Sequence, residues 1–283
     1  LLGLRRRAVS VQENPKLGSR PCLCLAVIEP LSESQVIENL RQTEDPSAQY
    51  YAAWWLGKMR SRHPDAIPLL LTTLKALDDT PVDPDRRGVA LNAIRSLGLL
   101  QDERADSDLR DLLTSSDYSV REEAARSLGT MGSHAAAATI RSLLASGVDG
   151  AGSEQPSTPL LREPCEALLE ALGEIGISDT ATLATLEPFT QHPRPLIRAA
   201  ACRALLQLTG DARWGEQLIQ LLEHPEPLVR RGALLDLGAT GWTEALTTMS
   251  AAAVEPSLKL VALRGLAEKS GDPQVLDVMD ALL

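Results

Sequence analysis

Aromatic residues are scarce in this 283-residue chain, which holds one Phe, three Tyr and four Trp. A β-sandwich of this length needs many more, together with β-branched residues, so the shortage favours helices packed through alanine and leucine. Cysteine is scarce as well. Cys22, Cys24, Cys165 and Cys202 are irregularly spaced, and Cys22-Leu-Cys24 has no second pair at zinc-ligand spacing. They read as reduced thiols of a cytosolic protein, with no metal site. No apolar run approaches the roughly 18 residues of a membrane span. The chain also lacks a Gly-rich phosphate loop and a Gly-x-Ser-x-Gly elbow, the marks of nucleotide and acyl-transfer chemistry.

Positive charge is in short supply too, and unevenly placed. The net charge is −10, yet residues 1–30 carry five cations against two carboxylates, leaving the remainder at −13. An acidic body argues against nucleic acid and anionic membranes as partners, since both reward basic patches. The Arg-rich start followed by Cys22–Ile28 imitates a secretory signal without a small-residue cleavage site. Residues 1–30 are expected to form a disordered tail.

What is abundant is repetition. The pattern Val-Arg-x-x-Ala-x-x-x-Leu-Gly at Val120–Gly129 returns at Ala48–Gly57, Val89–Gly98, Pro164–Gly173, Ile197–Leu206, Val229–Gly238 and Leu258–Ala267. The shortest steps are close to thirty residues, the period of a stacked helix-pair array. Prolines precede several first helices, as in Asp45-Pro46, His192-Pro193 and His224-Pro225. The closing glycines Gly57, Gly98, Gly129, Gly173 and Gly238 suit the left-handed residue that ends a helix. Leucine-rich second helices follow, and Ser32–Leu40 reads as a lone second helix capping the N-terminal end. The expected fold is all-α, a right-handed α-solenoid of about seven helix pairs over residues 31–283. Long inter-repeat loops fall near 78–87 and 146–163, the second rich in Gly and Pro and expected to be flexible.

One copy of the repeat is unlike the rest. Residues 50–55 read Tyr-Tyr-Ala-Ala-Trp-Trp, half of the chain's aromatics in six positions. Helical phase places Tyr51 and Trp55 beside the buried stripe and turns Tyr50 and Trp54 away from it. The position of Trp54 holds Arg95, Arg126, Glu170, Arg203, Leu235 and Arg264 in the other units, a ladder of four arginines along one face. Asp236 stands where other units place Ser96, Ser127, Ala171, Ala204 and Gly265. The recurrent Arg121, Arg198, Arg230 and Lys259 are expected to pair with acidic groups of neighbouring units. His63, His192 and His224 sit in turns before prolines, where capping is the default. Trp214 and Trp242 are placed in inter-helix turns.

The repeat core resembles the short HEAT-like repeats of phycobilisome lyases. No His-Glu dipeptide occurs, which removes the HEAT-repeat di-iron hydroxylases. Three stretches narrow the resemblance: Asp45–Gly57 with its aromatic block, Leu234–Gly241, and Ser257–Leu260 with Leu263–Leu266. Together they are similar to the E subunits of heterodimeric phycocyanobilin lyases. The resemblance implies that an E-type chain and a homologous F-type subunit bind phycocyanobilin. The pair then joins it by a thioether to a cysteine of the phycocyanin α subunit, in the cyanobacterial cytosol. Phycocyanobilin is then a bound substrate, and no cofactor is implied. For such a substrate the candidate binding groups are Tyr50, Tyr51, Trp54, Trp55 and Trp242, as stacking faces. Arg95, Arg126, Arg203 and Arg264 are candidates for its two propionates. Asp236 is the candidate for hydrogen bonds to pyrrole N–H groups, and His63 a further acid-base candidate. Two other readings remain: a lyase-isomerase subunit for another phycobiliprotein, and a non-enzymatic HEAT-repeat adaptor or bilin chaperone.

Overall fold

The computed structural model describes residues 31–283, and the tail expected over 1–30 lies outside them. The described chain is helical throughout, apart from turns and one isolated bridge between Glu154 and Leu161. Helix α1 (Glu33–Arg41) stands alone and is followed by seven helix pairs. The first helices of the pairs are α2 (Pro46–Lys58), α4 (Pro84–Leu100), α6 (Tyr118–Met131), α8 (Cys165–Ile175), α10 (Pro195–Thr209), α12 (Pro227–Thr240) and α14 (Pro256–Ser270). The second helices are α3 (Ala66–Leu74), α5 (Asp106–Asp111), α7 (Ala137–Leu144), α9 (Thr180–Leu186), α11 (Ala212–Leu221), α13 (Leu246–Ala251) and α15 (Pro273–Asp280). Each first helix packs on the first helix of the next unit, so the core runs continuously along an α-solenoid.

Local sequence explains the starts. Asp45, Asp83 and Asp117 turn their carboxylates onto the free N–H groups of the first turn, each worth about 1 kcal/mol. Proline occupies the first turn of α2, α4, α10, α12 and α14, where its missing N–H costs nothing. The helices after the two His-Pro pairs begin at Pro195 and Pro227, so His192 and His224 belong to the preceding turns.

The repeat glycines have a different purpose from the one expected. Gly57, Gly98, Gly129, Gly173 and Gly238 lie inside their helices, and the left-handed caps are Gly132, Gly176, Gly210, Gly241 and Gly271 further on. The internal glycines allow neighbouring first helices to touch. A Cβ on Gly98 would stand 2.7 Å from Ser127 Cα, and one on Gly129 or Gly173 would stand 2.9 Å from Ala171 Cα or 2.8 Å from Ala204 Cα. Small residues therefore recur two positions before the glycine because they face the glycine of the preceding helix. The rule lapses once. Leu206 replaces the glycine of α10, and the following unit supplies Asp236 in place of a small residue.

The inserted segments are also corrected. Residues 84–87 are the first turn of α4. The 146–163 loop is folded in place: Gln155 N–H donates to Leu160 O at 2.8 Å, Arg162 N–H to Ser153 O at 2.9 Å, and Leu161 is buried. His192, itself buried, reaches Gly152 O through Nε2 at 2.9 Å, and Arg194 donates to Glu154 and to Pro159 O at 2.6 Å.

One long-range contact fixes the curvature. Lys269 Nζ near the end of α14 donates to Glu174 Oε2 near the end of α8 at 2.8 Å, although α10 and α12 lie between them. Two side chains span that gap only where the C-terminal ends of the four helices converge. The face carrying the arginine ladder is therefore the inside of the curve at this end of the array.

Candidate functional site

The ladder face is charged in its centre. Arg126 pairs with Glu170, with Glu122 at 3.4 Å and with Glu166 at 3.8 Å. Arg203 donates to Glu174 at 2.7 Å and lies 3.4 Å from Asp236 and 3.7 Å from Glu170. Gln207 Nε2 adds a hydrogen bond to Glu174 and another to Ala239 O. Two arginines and Lys269 thus face five carboxyl groups. In such an excess some members bind their protons more tightly than a free carboxyl does.

Burial decides which members do. Asp236 is buried against α10, and loss of solvation pushes its carboxyl up to about 7. Arg203 opposes that rise, while Glu170 and Glu166 reinforce it. Burial likewise raises Glu166, seconded by Glu170. Glu174 goes the other way: burial favours its neutral form, but hydrogen bonds from Lys269, Arg203 and Gln207 hold it below the usual carboxylate range. The cluster therefore places an acid poised near neutrality, Asp236, beside the charged Glu174 and Arg203.

The aromatic block is split by its own helix. Tyr50, Tyr51 and Trp54 are exposed, and the Tyr51 and Trp54 rings meet at 5.6 Å between centroids. Trp55 is half-buried and packs on the core, which removes it from the free surface. The ring of Tyr50 lies near Gly88 of α4. Arg95 borders the block, paired with Glu123.

The other sequence candidates part company. Among the described residues Arg264 pairs with Glu268 alone, at 2.7 Å on the surface. Trp242 is half-buried against α11, its ring filling the space beside Gly215, so it is a packing residue rather than a cover for a ligand. Trp214, expected in a turn, is buried within α11. His63 Nδ1 accepts from Asp65 N–H at 3.2 Å in the turn after α2, a capping bond like that of His224 to Glu226. Four first helices lie between α2 and α12 in the stack. Neither His63 nor the aromatic block is brought to Asp236.

The recurrent cations serve the backbone. Arg198 Nη1 donates to His192 O and Pro193 O, Arg230 Nη1 to His224 O and Pro225 O, and Lys259 to Ser250 O. Only Arg121 of this set finds the expected acid, Glu163 at 3.1 Å, and it too binds turn carbonyls. Carbonyls orphaned by the turns need donors more than the arginines need counter-ions. Among the described cysteines, burial pushes Cys165 and Cys202 up to about 12, so neither offers a thiolate near neutrality.

Sequence reading missed Glu122, Glu166, Glu174 and Lys269. A signal for the acids was present, because Glu166, Glu170 and Glu174 follow at four-residue intervals and line one face of α8. Lys269 had none, since its partner is 95 residues away.

Relatives agree with this architecture. HEAT repeats match residues 82–151 and 183–267, and the PBS lyase HEAT-like repeat matches residues 48–76. The bilin biosynthesis protein RpcE of Synechococcus sp. strain WH8020 is 61% identical over 254 residues, covering 90% of this chain and 96% of that protein. The phycocyanobilin lyase subunit alpha of Picosynechococcus sp. strain PCC 7002 is 42% identical, covering 88% and 95%. The structure of the complex of CpcE and CpcF of phycocyanin lyase from Nostoc sp. PCC7120 contains a chain with a TM-score of 0.77 and 36% identity. That match covers 95% of this chain and the whole of the other. By identity along nearly its whole length and by fold, the chain belongs to the family of HEAT-like α-solenoids formed by the alpha, or E-type, subunits of phycocyanobilin lyase.

Proposed function

We propose that this chain is the E-type subunit of a heterodimeric bilin lyase, active in the cytosol with an F-type partner. It directs phycocyanobilin onto a cysteine thiol of the phycocyanin α subunit. The single observation that carries the chemical part is the buried Asp236 carboxyl, held by Arg203 on the inner face among an excess of acids. In the reaction, the thiolate sulfur bonds to the ethylidene carbon of ring A. The displaced electron pair enters the pyrrole system, which takes up a proton. The neutral Asp236 carboxyl gives its proton to that system, and the carboxylate left behind accepts from the N–H groups and favours the protonated, electron-poor form. The attacking thiol comes from the acceptor protein, in keeping with the inertness of Cys165 and Cys202.

The aromatic block has a separate duty in this reading. Four first helices lie between Asp236 and Tyr50, Tyr51 and Trp54 in the stack, and rigid exposed aromatics suit a protein interface. We assign them to the F-type subunit. Reconstitution with that subunit, phycocyanobilin and phycocyanin α tests both parts. The pair is expected to give covalent, sharpened bilin absorbance on the α subunit, and failure to do so contradicts the lyase reading. Trp54→Ala is expected to weaken the pair at least about tenfold by sedimentation or size exclusion, the usual cost of losing an aromatic anchor. An intact pair that no longer transfers bilin would move the aromatic block to the substrate.

A further inference from the structure

The inner face beyond Arg203 changes character. Leu228 and Leu235 lie seven residues apart on α12, and Val261 occupies the neighbouring position on α14. All three are exposed, Leu228 and Val261 by 63% and 58%. Gly232 lies between the two leucines, and its lack of a side chain leaves a shallow floor, partly covered by Leu196 from α10. Exposed leucine and valine on one face of adjacent helices contrast with the paired charges of Arg95, Arg126 and Arg203 in the central units. Two arginines flank the patch. Arg231 pairs with Glu255, and Arg264 with Glu268. Both pairs stand in solvent, where such bridges are weak and exchange readily for another carboxylate. Asp236 follows Leu235 on α12 and is buried, 3.4 Å from Arg203.

The geometry points to a bed for the tetrapyrrole at this place: the conjugated rings lie over Leu228, Gly232, Leu235 and Val261, and the two propionates meet Arg231 and Arg264. The ligand has apolar faces, N–H groups on one edge and two carboxylates, and the patch offers the complement of each. Pyrrole N–H groups directed toward α12 then come within reach of the Asp236 carboxyl. The bed deepens the lyase reading and rests on it.

The test is a binding titration of the complex with its F-type partner, using phycocyanobilin and its dimethyl ester as probes and the bilin absorbance as readout. Arg231→Gln and Arg264→Gln are each expected to weaken phycocyanobilin roughly tenfold, the range for a hydrogen bond to a charged group, and to leave the ester unchanged. Leu235→Gln is expected to weaken both probes. These residues are exposed, so their replacement leaves the core intact. If the unsubstituted complex binds phycocyanobilin and all three variants match it, the bed is wrong while the lyase reading stands. If the unsubstituted complex binds neither probe, the lyase reading falls and takes the bed with it.

Discussion

Asp236 is the residue at which the repeat departs from its own packing rule. In the other units the equivalent contact joins glycine to a small residue, whereas here Leu206 stands where a glycine is expected and a carboxyl enters the gap. The cost shows in its protonation. A carboxyl raised from an ordinary 3.8 to about 7 binds its proton more tightly in the folded chain than in the unfolded one. Stability from this group is therefore full at acid pH and lost as pH climbs from about 4 through 7. Asp236→Asn removes the titration. Relative to that variant, the wild-type chain is expected to lose on the order of 2–4 kcal/mol between pH 4 and pH 8, read from urea midpoints at each pH. A pH-independent difference would show that Asp236 stays ionised. The sequence displayed Asp236 as an anomaly of position, but its burial and its neighbours depend on side chains from α8 and α10 that no local pattern connects.

At the scale of elements, the first helices are spaced by their glycines. Gly238 is the tightest against backbone, because a Cβ there would collide with the Ala262 carbonyl oxygen. Backbone cannot move aside as a flexible side chain can. Gly238→Ala is expected to destabilise the chain by about 1–3 kcal/mol, the cost of overpacking, despite alanine's better helix propensity. Urea denaturation checks the sign, and a stabilised variant would show that the helices are not in contact. The helix pairs were legible because proline starts, aspartate caps and leucine periodicity are local. The role of the glycines was not, since a glycine at a helix end and one at a helix contact look alike until the neighbouring helix is in place. Likewise the 146–163 loop, rich in residues that loosen a chain, is tied down by His192 and Arg194 from the next unit.

For the whole molecule, one continuous inner face joins the parts. Exposed aromatics occupy its first unit, arginines and acids its centre, and an apolar patch framed by arginines its C-terminal end. Phase analysis of a single helix could show that Tyr50 and Trp54 leave the core. It could not show that four first helices lie between them and Asp236, because separation along a solenoid comes from stacking, not from helical phase. The division of labour follows from that separation, with partner recognition at one end and tetrapyrrole chemistry at the other. The central claim is that a protonated Asp236 assists thiol addition. Its most direct test is the pH profile of the initial rate of phycocyanobilin attachment to phycocyanin α, for the wild-type pair and for the Asp236→Asn pair. The wild-type rate, corrected for ionisation of the acceptor thiol, is expected to fall as pH rises through about 7. The variant is expected to be slower by roughly a hundredfold and to lack that inflection. Equal rates with coincident profiles would contradict the account.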